Sequence, residues 1–165
     1  MTVTTVSTVT HTTFTLERTY AADPARVFAA WADPAAKARW FGTGGAHALD
    51  FRAGGREVAR GRTPGGEDLA FSSTYHDIVS DRRLVYSSTL TIGGTLATIS
   101  TTTVELTAED QGTRLTLTEQ AAFLDGREEP KWREQGTGDW LDRLAEEVEG
   151  VEEAEEAEEA EEAEV

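Results

Sequence analysis

Apolar and polar residues alternate in short runs over most of the chain. In residues 12–20, Phe14 and Leu16 fall on one side of an extended segment and Thr13 and Thr15 on the other, which predicts a strand. Pairs of glycines separate several of the later runs, and glycine adopts the positive φ of tight hairpin turns without steric cost. Six further strands are therefore predicted, at residues 46–51, 56–62, 68–79, 83–90, 96–106 and 114–120.

Helical patterns occur at two places in the chain. Asp23-Pro24 and Asp33-Pro34 each place a capping carboxylate before a proline in the first turn, which predicts two short helices after the first strand. Near the C-terminus, residues 133–149 have the periodicity of one long amphipathic helix. Its apolar face consists of Trp140, Leu141, Leu144, Ala145 and Val148.

Five motifs accompany this order of elements: ARVFAAWADPAAKARWFG (25–42), DFRAGGREV (50–58), STYHDIVSDRRLVYS (73–87), GTRLTLTEQ (112–120) and GTGDWLDRLAEEV (136–148). Together with the element order, they resemble the START-like (SRPBCC) helix-grip superfamily. Within it, the chain is similar to the family of the C-terminal domain of activator of HSP-90 ATPase. The resemblance implies an α+β fold with a curved antiparallel sheet of about seven strands, two short helices, and one long C-terminal helix. It also implies a cavity between sheet and helix.

Charge is distributed unevenly along the chain, whose formal net charge is −16. Residues 150–165 hold nine glutamates, and the remaining 22 acidic and 15 basic residues give the rest a net charge of −7. This sign argues against nucleic-acid binding. The sequence contains no cysteine, which fits a reducing, cytoplasmic location, and no apolar run long enough for a membrane span.

Three regions are expected along the 165 residues. Residues 1–11 are interpreted as a flexible N-terminal arm and residues 12–149 as the helix-grip domain. Residues 150–165 form an acidic low-complexity tail. Repeated like charges favour disorder there, while the helix propensity of Glu and Ala leaves a helical extension as the alternative.

Two glutamates are candidate cavity residues because of strand parity. If Arg56 and Arg60 face solvent, the alternate residue Glu57 must face inward. In the last strand, Glu119 shares a face with Leu115 and Leu117 and should also point inward. Inward carboxyls that lack partners have raised pKa values and are candidate acids or bases, although either glutamate could instead reach water or an arginine.

Aromatic residues supply the other candidates for ligand contact. Tyr75 and Tyr86 lie on adjacent predicted strands and either present hydroxyls to a ligand or fill the core. Trp132 is predicted in a polar loop, where it either covers the cavity as a lid or is an exposed contact residue. The full ligand-binding prediction is Trp40, Phe41, Glu57, Tyr75, Tyr86, Glu119, Phe123, Trp140 and Leu144.

Cofactor and metal chemistry finds no support in the sequence. His11, His47 and His76 lack the spacing of a metal site, and no serine lies in a nucleophile elbow. The residues 42–45 are glycine-rich but lack the lysine of a phosphate-binding loop. The sequence therefore predicts no metal and no cofactor.

Three functions are compatible with these features. The sequence favours a non-catalytic protein that binds an apolar or amphipathic small molecule in the cavity. The first alternative is a cyclase or dehydratase type of enzyme that uses Glu57 or Glu119 as its proton shuttle. The second is a chaperone-associated module, disfavoured because no separate N-terminal domain is evident in the sequence. Homodimer formation is left open.

Overall fold

The computed structural model describes residues 7–42 and 44–163, and the side chains of residues 7–42 and 44–150. Seven strands form one curved antiparallel sheet, confirming the predicted α+β helix-grip architecture. The strands are β1 (Val9–Tyr20), β2 (His47–Leu49), β3 (Arg56–Arg62), β4 (Asp68–Val79), β5 (Arg83–Ile92), β6 (Thr95–Glu109) and β7 (Gly112–Leu124).

The strand order in the sheet is β1-β7-β6-β5-β4-β3-β2. Strands β2 to β7 form a meander, and β1 completes the sheet by pairing with β7 from Val9 opposite Leu124 to Tyr20 opposite Thr113. The predicted glycine turn between β5 and β6 is present, and Gly93 and Gly94 both have positive φ, of 58° and 78°. The predicted bounds of β3 and β4 are confirmed, whereas β1, β5, β6 and β7 are longer than predicted and β2 is shorter.

Two short helices connect β1 to β2, as the Asp-Pro pairs predict. Helix α1 (Pro24–Ala32) begins after Asp23, whose carboxylate accepts a hydrogen bond from the Arg26 N–H at 2.8 Å. Helix α2 (Pro34–Phe41) begins after Asp33, whose carboxylate accepts one from the Ala36 N–H at 3.1 Å. These caps satisfy backbone donors that a helix start leaves unpaired.

The third helix, α3 (Pro130–Ala163), packs on the inner face of the sheet. The Tyr20 hydroxyl donates to the Leu141 carbonyl at 2.9 Å, and Leu141, Leu144 and Val148 are buried in the core. The helix continues through the acidic repeat, which matches the helical alternative and not the disordered tail that the sequence favoured. Three residues of the predicted arm, Val9–His11, belong to β1, and residues 1–6 lie outside the described part.

Candidate ligand-binding site

A cavity of about 370 Å³ lies between the first half of α3 and the part of the sheet formed by β3, β4 and β5. Most of its wall is apolar. Trp132, at the start of α3, lines the cavity and is 59% exposed, so this residue is both a cavity residue and a surface contact. The apolar wall consists of Phe41, Ala59, Pro64, Leu69, Phe71, Leu90, Ile92, Trp132 and Trp140.

One side of this cavity is polar, where Arg133 joins α3 to the sheet. The buried Arg133 guanidinium donates to Glu128 from Nε at 3.0 Å and from Nη2 at 2.8 Å, and to Glu119 from Nη1 at 3.1 Å. The Thr98 hydroxyl donates to Glu128 at 2.7 Å. Burial raises the pKa of the Glu119 carboxyl, and Arg133 only partly offsets that effect. Glu119 is therefore easier to protonate than an exposed glutamate.

Deeper in the molecule lies a void of about 10 Å³, which we call the inner void. Its polar lining comes from Trp31, Tyr86, Thr102, Glu119 and Thr137. Phe41, Phe71, Trp140 and Thr137 line both spaces. The Phe41 and Trp140 ring centroids lie 4.5 Å apart and those of Phe41 and Phe71 5.4 Å, so contacting aromatic rings lie between cavity and inner void.

Glu57 belongs to a separate buried cluster. Its Oε1 accepts hydrogen bonds from Lys37 Nζ and from the Tyr75 hydroxyl, both at 2.9 Å, and its Oε2 lies 2.7 Å from His47 Nε2. Burial favours the neutral carboxyl, but Lys37 and the hydrogen bonds from Lys37, His47 and Tyr75 outweigh this and lower the pKa of Glu57. Burial beside Glu57 also raises the pKa of Tyr75. Glu57 is thus held as a carboxylate.

Aromatic rings surround the lysine of this cluster. Lys37 is 1% exposed, and its Nζ lies 4.8 Å from the Trp31 ring centroid, 5.3 Å from that of Trp40 and 4.4 Å from that of Phe41. Cation–π attraction and the Glu57 carboxylate together compensate the loss of water around the ammonium. Burial nevertheless lowers the pKa of Lys37, against the opposing effect of Glu57.

The structure distributes the nine sequence-predicted ligand residues over three places. Phe41 and Trp140 line the cavity. Together with Trp40, Tyr86 and Glu119 they also line the inner void. The other four lie in neither wall: Glu57, Tyr75, Phe123 and Leu144, each at most 2% exposed.

The inward orientation of both glutamates is confirmed, since Glu57 is 1% and Glu119 4% exposed. Neither carboxyl is unpaired. The alternation of residues along a strand determines which face of the sheet each residue occupies. It does not show where along that face the cavity lies. Trp40, for example, is buried, donates from Nε1 to the Ala30 carbonyl at 2.9 Å and does not line the cavity.

Sequence reasoning missed the basic partners of both glutamates and most of the cavity wall. A signal existed for Lys37, because it precedes Trp40 and Phe41 by three and four residues and so lies on their side of α2. Arg133 has a similar relation to Trp140, seven residues later on α3. The aliphatic wall of Leu69, Leu90 and Ile92 has no comparable signal, since alternating apolar residues are equally typical of a filled core.

The described part of the chain has neither a metal-ligand cluster nor a membrane-spanning helix. Across the side chains of residues 7–42 and 44–150, no three histidine, aspartate or glutamate groups lie close enough together to hold a metal ion. In the same part of the chain, no helix combines the length and apolarity that crossing a membrane requires.

Comparison with known families and structures gives one family match. The family model described as activator of Hsp90 ATPase homolog 1-like protein matches residues 21–149, which include α1, α2, β2 to β7 and the packed part of α3. No curated protein matches the chain.

Several solved structures match over nearly their whole length. A protein of uncharacterised function from Rhizobium leguminosarum is 39% identical, with a TM-score of 0.84, covering 88% of this chain and 99% of its own. Protein Mll3558 from Rhizobium loti is 48% identical, with a TM-score of 0.80, covering 86% and 99%. DynU16, from the dynemicin biosynthetic locus, is 21% identical, with a TM-score of 0.64, covering 83% and 47%, and shares the fold alone.

Proposed function

This chain belongs to the activator of Hsp90 ATPase homolog 1-like family, and we propose that it is a non-catalytic binding protein for a small apolar or amphipathic molecule. The proposed site is the cavity between α3 and strands β3 to β5. The observation that carries the proposal is its volume of about 370 Å³ together with its mainly apolar wall. Ligand pockets of proteins typically have about 300–1,000 Å³ and this chemistry.

The position of Trp132 supports access to the cavity. A tryptophan that is 59% exposed loses little water when the protein folds, so its large apolar surface remains available for a ligand. Arg133 and Glu128 line the cavity together with Trp132, so its wall combines an aromatic ring with polar groups. This arrangement fits a ligand that has an apolar body and a polar end.

The engagement of the two buried carboxylates supports the non-catalytic part of the proposal. Glu57 accepts hydrogen bonds from three side chains and lines neither space, so it has no room for a substrate beside it. Glu119 and Tyr86 do converge on one volume, as an enzyme of the cyclase type would require, but this inner void of about 10 Å³ admits no more than a single oxygen atom.

A cavity-filling variant provides the test. Gly136 lines the cavity, and a Cβ added there meets no atom within 4 Å. Gly136→Leu should therefore fill the space without a clash, while removing a helix-destabilising glycine. Gly150→Leu is the matched control, because Gly150 also lies in α3 with open space around it and does not line the cavity.

The measurement is fluorescence titration with the uncharged dye N-phenyl-1-naphthylamine, which brightens in apolar surroundings. We expect saturable binding by the wild type and Gly150→Leu, and at least about tenfold weaker binding by Gly136→Leu, a loss of about 1.4 kcal/mol. No saturable binding by the wild type, or equal binding by both variants, would contradict the proposed site.

A further inference from the structure

One of the residues that line the inner void carries a buried polar group without a partner. The Trp31 side chain lines this void, and its indole Nε1–H is buried with no acceptor among the described residues. Trp31 is 2% exposed, so solvent at the surface does not supply an acceptor either. A buried donor of this kind costs free energy unless an oxygen accepts its hydrogen bond.

Four further polar side chains line the inner void: Tyr86, Thr102, Glu119 and Thr137. The Thr102 hydroxyl lies within hydrogen-bonding reach of both Glu119 and Tyr86. A void of about 10 Å³ is close to the volume that one water molecule occupies, and such a water needs two to four polar partners. The inner void therefore has the size and the chemistry to hold one oxygen atom.

From this geometry we infer that the inner void is a subsite for one uncharged hydroxyl oxygen, which accepts from the Trp31 indole N–H and donates to the Glu119 carboxylate. In the free protein that oxygen belongs to a water molecule. In the complex it belongs to the ligand, so the ligand is an apolar molecule with an alcohol or phenol group at its inner end. This inference rests on the proposed function, because the ligand must first occupy the cavity.

Charge decides between a hydroxyl and a carboxylate at this subsite. Glu119 and Glu128 share the single positive charge of Arg133, so the region already carries an excess negative charge. An anionic ligand group would add to it in a place shielded from bulk water, and it has no proton to donate to Glu119. Burial already raises the pKa of Glu119, which shows how poorly this region accommodates negative charge.

The aromatic rings between the two spaces determine how the ligand enters. Phe41, Phe71 and Trp140 line both the cavity and the inner void, and the Phe71 and Trp140 ring centroids lie 6.1 Å apart. A ligand bound in the cavity lies against these rings and reaches the void when they shift. The volume beyond them then admits only the terminal oxygen, while the apolar body stays in the cavity.

Three compounds that differ in one group test this inference. All three compounds have the same ring system. At neutral pH, naphthalene carries no polar group, 2-naphthol carries an uncharged hydroxyl and 2-naphthoate carries a carboxylate. Their affinities are measured by displacement of N-phenyl-1-naphthylamine. We expect 2-naphthol to bind about three- to tenfold more tightly than naphthalene, the effect of one net hydrogen bond, and 2-naphthoate to bind more weakly than both.

Trp31→Phe removes the indole N–H and should abolish the preference for 2-naphthol over naphthalene. Trp132→Phe is the matched control, since it makes the same change at the exposed end of the cavity and should keep the preference. If Trp31→Phe fails to fold, the ranking of the three compounds in the wild type still decides. Equal affinities overturn the subsite and leave the binding function intact, whereas no binding of any compound overturns both.

Discussion

The buried residues Lys37 and Glu57 show what the polar groups of this domain do for its stability. Their Nζ and Oε1 atoms lie 2.9 Å apart, and both side chains are 1% exposed. Removing water from two charges is costly, and the loss is compensated only while both partners remain. Each residue therefore matters for the folded state mainly because its removal would leave the other as an unpaired buried charge.

Removal of the lysine alone should strongly destabilise the domain. Lys37→Met leaves the Glu57 carboxylate buried without its cation, and we expect the free energy of unfolding to fall by about 3–5 kcal/mol. The double variant Lys37→Met/Glu57→Gln, which removes both charges, should be more stable than Lys37→Met. Urea denaturation followed by circular dichroism measures both differences.

Arg39→Met is the control for this pair of variants, since Arg39 lies on the same helix with a side chain that is 59% exposed. Its ion pair with Glu147 should contribute about 1 kcal/mol or less. If the free energy of unfolding fell by a comparable amount in Arg39→Met and Lys37→Met, the structural role assigned to Lys37 would be contradicted.

The two buried glutamates should influence stability in opposite directions as pH changes. The usual pKa of 4.5 is raised for Glu119, mainly by burial. A folded state that binds the proton more tightly is favoured below about pH 4.5, and this contribution is lost as the pH rises through the raised pKa. The free energy of unfolding of the wild type, minus that of Glu119→Gln, should therefore decrease as the pH rises above 4.5.

Glu57 provides the internal comparison, because its pKa is lowered by Lys37 and its hydrogen bonds in spite of burial. Its contribution is present above about pH 4.5 and is lost as the pH falls through the lowered pKa. The difference between the wild type and Glu57→Gln should thus decrease towards acidic pH. If urea denaturation between about pH 3 and about pH 8 shows both differences changing in the same direction with pH, one of these assignments is wrong.

Strand parity predicted the inward orientation of Glu57 and Glu119 but not their partners. Parity is a local property of two neighbouring residues, whereas Lys37 and Arg133 come from helices distant in the sequence. A pattern of buried and exposed positions cannot show which cation meets which carboxylate. The sequence therefore identified two glutamates as chemically unusual and left open whether they were catalytic or paired.

At the scale of the elements, α3 combines a packed part with an acidic extension. Among the residues whose side chains the structure describes, Val148 is the last on α3 to belong to the hydrophobic core, and the Glu149 carboxylate accepts a hydrogen bond from the Ala21 N–H at 3.0 Å. The glutamate repeats follow directly. The folded domain should therefore need α3 only up to Glu149.

A variant ending at residue 149 tests this boundary. We expect its free energy of unfolding to stay within about 0.5 kcal/mol of that of the full chain, because it keeps every core residue among the described side chains. Its circular dichroism signal at 222 nm should decrease, since α3 loses its last turns. A second variant ending at residue 139, which lacks Leu141, Leu144 and Val148, should fail to fold. Unfolding of the first variant would show that the extension stabilises the domain.

The elements themselves were largely predictable because each has a local cause. The Asp-Pro pairs start α1 and α2, and the glycine pair 93–94 turns the chain between β5 and β6. The acidic repeat was harder, because helix propensity and charge repulsion oppose each other there and the pattern alone does not decide between them.

At the scale of the whole molecule, the cavity lies over β3, β4 and β5, while the other half of the sheet is covered by core side chains. The family resemblance implied a space between sheet and helix, but not its position. That position depends on how residues from five elements pack together, among them Phe41 of α2, Leu90 of β5 and Trp140 of α3. The alternation of apolar and polar residues within a single strand does not determine such packing.

The most direct test of the central claim is to locate a bound small molecule by NMR of the methyl groups. The sample carries labelled leucine and isoleucine methyl groups, and 2-naphthol is added stepwise. If the cavity is the binding site, the largest shifts should occur at Leu69, Leu90 and Ile92, which line it. Shifts concentrated at the buried Leu115, or at Ile99, which is 45% exposed, would contradict the claim.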